Sequence, residues 1–106
     1  MEWMELTNIS TREVVPGFHG RFVHSENMTL VWWEVVMGST LPPHQHPHEQ
    51  VTHVIEGELE LTVNGETRLL RSGAVVVIPG GVAHSAKAMS ACKLFDAFYP
   101  IRQEYR

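Results

Sequence analysis

The sequence predicts an all-β fold, a sandwich or barrel, from three observations. Short β-rich runs recur at steps of about 8–12 residues with turn residues between them. One run, Glu58-Leu59-Glu60-Leu61-Thr62-Val63, alternates apolar and polar positions throughout and ends in Asn64-Gly65. No stretch sustains the 3.6-residue periodicity of a helix.

Taken in order, the first predicted strand covers Met28 to Met37. It is apolar at both parities, with Leu30, Trp32 and Val36 on one face and Val31, Trp33, Val35 and Met37 on the other. Such a strand needs cover on both sides, the interior on one and a second copy of the chain on the other, so a homodimer is expected. Val51 to Ile55 is the next strand. Asn64-Gly65 supplies the two positive-φ residues of a type I′ turn, so Glu58–Val63 and the returning strand Glu66 to Leu70 form a hairpin. Ala74 to Ile78, His84 to Met89 and Leu94 to Phe98 complete the set, with Gly38, Pro42-Pro43, Gly57, Gly73 and Pro79-Gly80-Gly81 as separators. The stretch before Thr11 is expected to be loose or exchanged between subunits.

The 106 residues suit one domain spanning positions 1–106. Eight basic against 12 acidic residues give a net charge of -4 with no basic cluster, so nucleic acid and anionic membrane are not expected partners. The longest apolar run, Ala74 to Ile78, falls far short of the roughly 20 residues that cross a bilayer. A single cysteine, Cys92, forms no internal disulfide, and Met1-Glu2-Trp3-Met4-Glu5 lacks the basic and apolar regions of a signal peptide. A cytoplasmic location is the expectation, with Cys92 a small buried hydrophobe.

The unusual number is 7 histidines, of which His44, His46, His48 and His53 fall within ten positions. They are either rim histidines or ligands of a divalent ion. On a strand, His44 and His46 project to the same face, and Gln50 shares their parity. Pro42-Pro43 upstream stiffens an extended approach. His84 opens a strand of small residues after Pro79-Gly80-Gly81 and is the natural ligand from elsewhere. His48 follows Pro47 at a turn, and His53 has the opposite parity to Gln50, which argues against both as ligands.

These residues resemble the two sequence motifs of the cupin superfamily. The first motif, residues 38–57, has Gly38, five residues, His44-x-His46, three residues, Gln50, six residues and Gly57, with glutamine where the pattern has glutamate. The second, residues 73–88, has Gly73, Pro79-x-Gly81 and His84, with Ala88 where asparagine is expected. The resemblance implies a cupin double-stranded β-helix, a jelly-roll barrel, holding one divalent metal between His44, His46, Gln50 and His84. Imidazole-rich sites accept zinc, nickel, manganese, iron and cobalt. Three imidazoles and an amide leave the charge of such an ion uncompensated, which makes it a stronger Lewis acid and attracts an anionic ligand.

The segment from Asp96 to Tyr105 is similar to the closing segment of the KdgF-type cupins, pectin-degradation proteins that linearise unsaturated uronic acids. Pro47-His48-Glu49-Gln50 and Arg12-Glu13-Val14-Val15-Pro16-Gly17 are similar to that group as well. The resemblance implies that Asp96, Phe98 and Arg102 line the metal pocket as the catalytic set. Read on their own, Asp96 and Phe98 share one face of a strand. A phenylalanine there is more often plain core than pocket wall, and Asp96 serves as a surface residue, a partner of a metal histidine, or a catalytic acid or base. Arg102 is either a solvated tail residue or the holder of a substrate carboxylate. Arg21, Trp32, Trp33 and His53 belong to cavity, core or interface. The implied function is metal-dependent ring opening of a 4,5-unsaturated uronate monosaccharide, a small anionic sugar-derived substrate. The alternatives are a metal-dependent cupin dioxygenase and a non-catalytic cupin that binds a small acid.

Overall fold

A computed structural model describes residues 1–106 as ten strands and two single-turn 3₁₀ helices, Leu6–Asn8 and Gln103–Tyr105. The strands are β1 (Arg12–Val15), β2 (Phe18–His24), β3 (Thr29–Val35), β4 (Thr40–His44), β5 (Glu49–Glu56), β6 (Glu58–Val63), β7 (Glu66–Arg71), β8 (Val75–Ile78), β9 (His84–Ala88) and β10 (Cys92–Tyr99). Every pairing is antiparallel. One sheet runs β1-β2-β3-β10-β5-β8 and the other β4-β9-β6-β7, with neighbours far apart in sequence, as a jelly roll requires.

All seven predicted strands are present, shifted by a few residues at their ends. The β6–β7 turn has Asn64 at φ 49° and Gly65 at φ 82°, the type I′ conformation expected of that dipeptide. Three strands were not foreseen. β1 and β2 precede the expected β region, and β4 contains Pro42-Pro43, a separator by its sequence. β4 lies at the edge of its sheet, where a proline's missing N–H breaks no ladder bond, and its register with β9 is irregular between Leu41 and His44. The N-terminal segment is tied to β2 by a hydrogen bond, the Ile9 carbonyl accepting from Arg21 Nε at 2.9 Å, while Met1 and Trp3 are exposed.

The inner faces of the sheets enclose the core: Phe18, Val31, Trp33, Val35, Val54, Leu94 and Phe98 from one, Leu59 and Ala88 from the other. Strand alternation puts Thr29, Val31, Trp33 and Val35 inside on β3, and Leu94, Asp96 and Phe98 inside on β10. Inside the barrel, polarity changes along the strands. Leu94 pairs with Val54, but the next inward pair is Asp96 with Thr52, and Phe98 then pairs with Gln50. The core is thus dry at one end and polar at the other.

Candidate metal centre and its cavity

His44 closes β4 and pairs directly with His84 at the start of β9. His46 lies beyond β4, in the loop to β5, so the two imidazoles do not converge by strand parity as the sequence suggested. Packing between the two motif loops brings His46 in. The Gly81 N–H donates to the His46 carbonyl at 2.8 Å, and a Cβ on Gly80 would sit 2.2 Å from the Pro47 carbonyl oxygen. Only glycine at position 80 allows that approach.

One ligand atom from each of His44, His46 and His84 falls within 4.8 Å of the others. Their ring centroids are 4.2 Å apart for His44 and His84, and 5.1 Å for His46 and His84. Each ring turns Nδ1 to a backbone carbonyl: His44 to Pro42 at 3.0 Å, His46 to His48 at 3.1 Å and His84 to Val82 at 2.9 Å. A carbonyl only accepts, so each Nδ1 carries the proton and each Nε2 keeps its lone pair. His84 Nε2 is buried with no hydrogen-bond partner. His46 Nε2 lies 3.0 Å from Gln50 Oε1, a contact between two acceptors unless Nε2 is also protonated. Burial first, and then the Arg102 guanidinium, push His46 down to about 4, so that proton is absent at neutral pH. A cation facing both lone pairs resolves the contact, and the donor set fits a divalent ion.

Gln50, Thr52 and Asp96 form one buried network. Gln50 Nε2 donates to Thr52 Oγ1 at 2.9 Å and to Asp96 Oδ1 at 3.3 Å, while the Thr52 hydroxyl donates to Asp96 Oδ1 at 2.6 Å. Trp33 Nε1 donates to Asp96 Oδ2 at 2.9 Å. Burial raises the Asp96 carboxyl above its usual range, against the pull of these donors. Asp96 touches no metal histidine; its link to the imidazoles runs through Gln50.

Arg102 is buried, with its guanidinium 4.8 Å from the Phe98 ring centre and 4.1 Å from that of Tyr105. Its Nε donates to Glu104 and its Nη1 to the Tyr105 hydroxyl at 3.1 Å. Its Nη2 has no hydrogen bond within the chain. Phe98, 1% exposed, is both core and cavity wall, with its ring centre 5.6 Å from that of His46.

His44, Gln50, His84, Asp96, Phe98 and Arg102 line one cavity with Trp33, Thr52 and Tyr105. Its enclosed part is about 50 Å³, and beside it lies a wider vestibule of about 560 Å³ that shares Val14, Val15, Leu41, His44, Arg102 and Tyr105 with it. Arg12, Pro42 and Glu104 line the vestibule. Thr52 and Tyr105 were missed from the sequence. The even parity of Thr52 with Gln50 was the available signal for the first; for Tyr105, which reaches the cavity from a 3₁₀ turn, the signal was its place at the end of the segment similar to the KdgF-type cupins. His48 is buried with Nδ1 unpartnered, yet stands outside the ligand group. His53, Trp32 and Arg21 lie cross-strand in one row with Phe95 on the other face of the six-stranded sheet.

A jelly roll with three imidazoles converging from its two motif loops defines the class, and residues 31–98 match the family described as Cupin domain. The chain belongs to that family. Within it, the chain is similar over 97% of its length, at 25% identity, to the pectin degradation protein KdgF of Dickeya dadantii, covering 89% of that protein. It superposes on the structure of KdgF from Halomonas sp. with a TM-score of 0.93, 27% identity, and 100% and 99% of the two chains covered. A stretch of 55 residues, 50% of the chain, is 44% identical to quercetin 2,3-dioxygenase of Bacillus subtilis but spans only 16% of that enzyme. An uncharacterised Streptomyces coelicolor protein is 32% identical over 68 residues, which span 65% of its length.

Proposed function

We propose that the chain catalyses ring opening of a 4,5-unsaturated uronate monosaccharide with one divalent ion held by His44, His46, Gln50 and His84. The carrying observation is the meeting, in one cavity, of a buried carboxylate, a buried guanidinium and two imidazoles, His44 and His84, which converge with the adjoining His46. Full-length similarity to KdgF proteins supports the choice of substrate class. When bound, the ion supplies Lewis acidity toward substrate oxygens.

The chain's residues supply the rest. Arg102 holds the substrate carboxylate through its free Nη2 face, pre-oriented by the flanking rings of Phe98 and Tyr105. In the reaction the proton of the anomeric hydroxyl departs, the bond from C1 to the ring oxygen breaks, and that oxygen is left as an enol at C5. C4 then gains a proton as the C5 ketone forms, so the conversion is an isomerisation with no net loss or gain of atoms. Asp96, its proton affinity raised by burial, takes and returns these protons. Phe98 walls the sugar face, and the ring extends toward the vestibule because the enclosed part of the cavity is small.

The test is the rate at which metal-loaded protein removes the ultraviolet absorbance of an unsaturated galacturonate, against a no-protein control. These sugars also open unaided, so the expected gain is that of general acid–base catalysis, about 10²–10⁴-fold. Asp96→Asn at saturating metal is expected to remove most of it, and turnover unchanged in that variant would end the assignment. The local similarity to quercetin dioxygenase favours a second reading, a metal-dependent oxygenase. Oxygen consumption with an aromatic substrate would support it.

We also propose that the outer face of the six-stranded sheet meets a second copy. Val23, Leu30, Ala97, Val51 and Val77 form one cross-strand row there, beside the row containing Trp32 and Phe95. The next row, His19, Glu34, Lys93 and Glu56, carries both signs of charge, with Lys93 ion-paired to Glu56 and Glu34 bonded to Arg21 of the aromatic row, a rim that complements itself under a twofold axis.

A further inference from the structure

Glutamine at position 50, where the motif has glutamate, has a physical reason inside the barrel. A side-chain amide presents nearly the same shape with its oxygen and nitrogen exchanged, so its hydrogen-bond partners decide which end faces the imidazoles. The end away from His46 faces Asp96 Oδ1 at 3.3 Å and Thr52 Oγ1 at 2.9 Å. The single proton of the Thr52 hydroxyl is committed to Asp96 at 2.6 Å, a length typical of a charge-assisted bond, so toward Gln50 this hydroxyl can only accept. Both neighbours of that end are acceptors, and the NH₂ must occupy it. Trp33 Nε1 holds the other carboxylate oxygen and prevents Asp96 from turning away.

We infer that Asp96, directly and through Thr52, is the positioning residue that turns the Gln50 oxygen toward the three imidazoles, and that Gln50 and Asp96 are a coupled pair. The negative charge that the motif's glutamate would place on the metal stands here one hydrogen bond behind it. A carboxylate accepting from the NH₂ polarises the amide and strengthens its oxygen as a donor. The inference rests on the reading of Gln50 as a metal ligand given above, and it is independent of the sugar.

The test is a double-mutant cycle on affinity for Co²⁺ alone, measured by calorimetry on folded protein, with the visible ligand-field spectrum as second readout. In the native background Asp96→Asn is expected to weaken Co²⁺ binding about 10–100-fold and to alter the spectrum, the usual scale for loss of an outer partner of a ligand. In a Gln50→Ala background the same substitution is expected to change affinity less than about threefold, because no amide is left for Asp96 to orient. Thr52→Val is expected to cost about tenfold, and Thr52→Ser, which restores the hydroxyl, to recover it. An equal loss from Asp96→Asn in both backgrounds would reduce Asp96 to a general attraction for cations and overturn the coupling. A native spectrum and affinity in Thr52→Val would do the same. Absence of uronate turnover with an intact cycle would remove only the substrate assignment, and turnover with a failed cycle only the coupling.

Discussion

His46 shows how a single residue ties the site to pH. Its proton affinity is lowered from the ordinary 6.5 to about 4, by burial first and Arg102 second, and burial lowers His84 as well. Between those two pH values the unfolded chain binds protons that the folded chain does not. The metal-free protein is therefore expected to keep this stability above about pH 6.5 and lose it progressively as pH falls toward 4. Melting temperatures measured across that window check the sign. His46→Gln, which removes the larger contribution, is expected to flatten the slope; an unchanged slope would mean that His46 is protonated in the folded state.

At the scale of elements, the site depends on the contact between the two motif loops more than on any strand. Gly80 lies where a Cβ would be 2.2 Å from the Pro47 carbonyl, so Gly80→Ala forces the loop before β9 away from the one that carries His46. Backbone carbonyls cannot move aside as a flexible side-chain tip can. The expected outcome is a loss of metal affinity of at least about tenfold, the scale of other disturbed ligand supports, with the β spectrum in circular dichroism retained. Affinity equal to that of the native chain would show that His46 can follow its loop without penalty. The strands contribute differently: their alternation places Gln50, Thr52, Asp96 and Phe98 on one inner surface, and cross-strand register makes Asp96 face Thr52 and Phe98 face Gln50.

At the scale of the whole molecule, the two faces of the six-stranded sheet have separate tasks. The inner face builds the cavity, and the outer face carries the apolar rows in which Trp32 and Phe95 pack with ring centres 5.1 Å apart. If that face is the contact between two copies, Phe95→Arg is expected to halve the mass seen by light scattering at micromolar concentration without unfolding the chain. A native protein already monomeric there would discard the dimer. Because the inner and outer residues alternate along the same strands, the substitution leaves the donor set in place.

Much of this molecule was readable without coordinates. Strand alternation, the Asn64-Gly65 turn and the spacing of Gly38, His44, His46, Gln50, Pro79, Gly81 and His84 determined the fold class and the candidate ligands, because each depends on the period of two or on residues close in the chain. β1, β2 and β4 escaped because short edge strands with mixed faces, one of them through two prolines, carry little periodic signal. What only the tertiary structure decided was which atoms face one another. Position 96 meets position 52 through the register of two strands that are distant in sequence, and Tyr105 comes under Arg102 from a terminal turn. Gly80 brings His46 to His84 by a loop contact rather than by parity. Hydrogen-bond direction, the tautomer of each imidazole and the orientation of the Gln50 amide are properties of such meetings, and local sequence does not encode them.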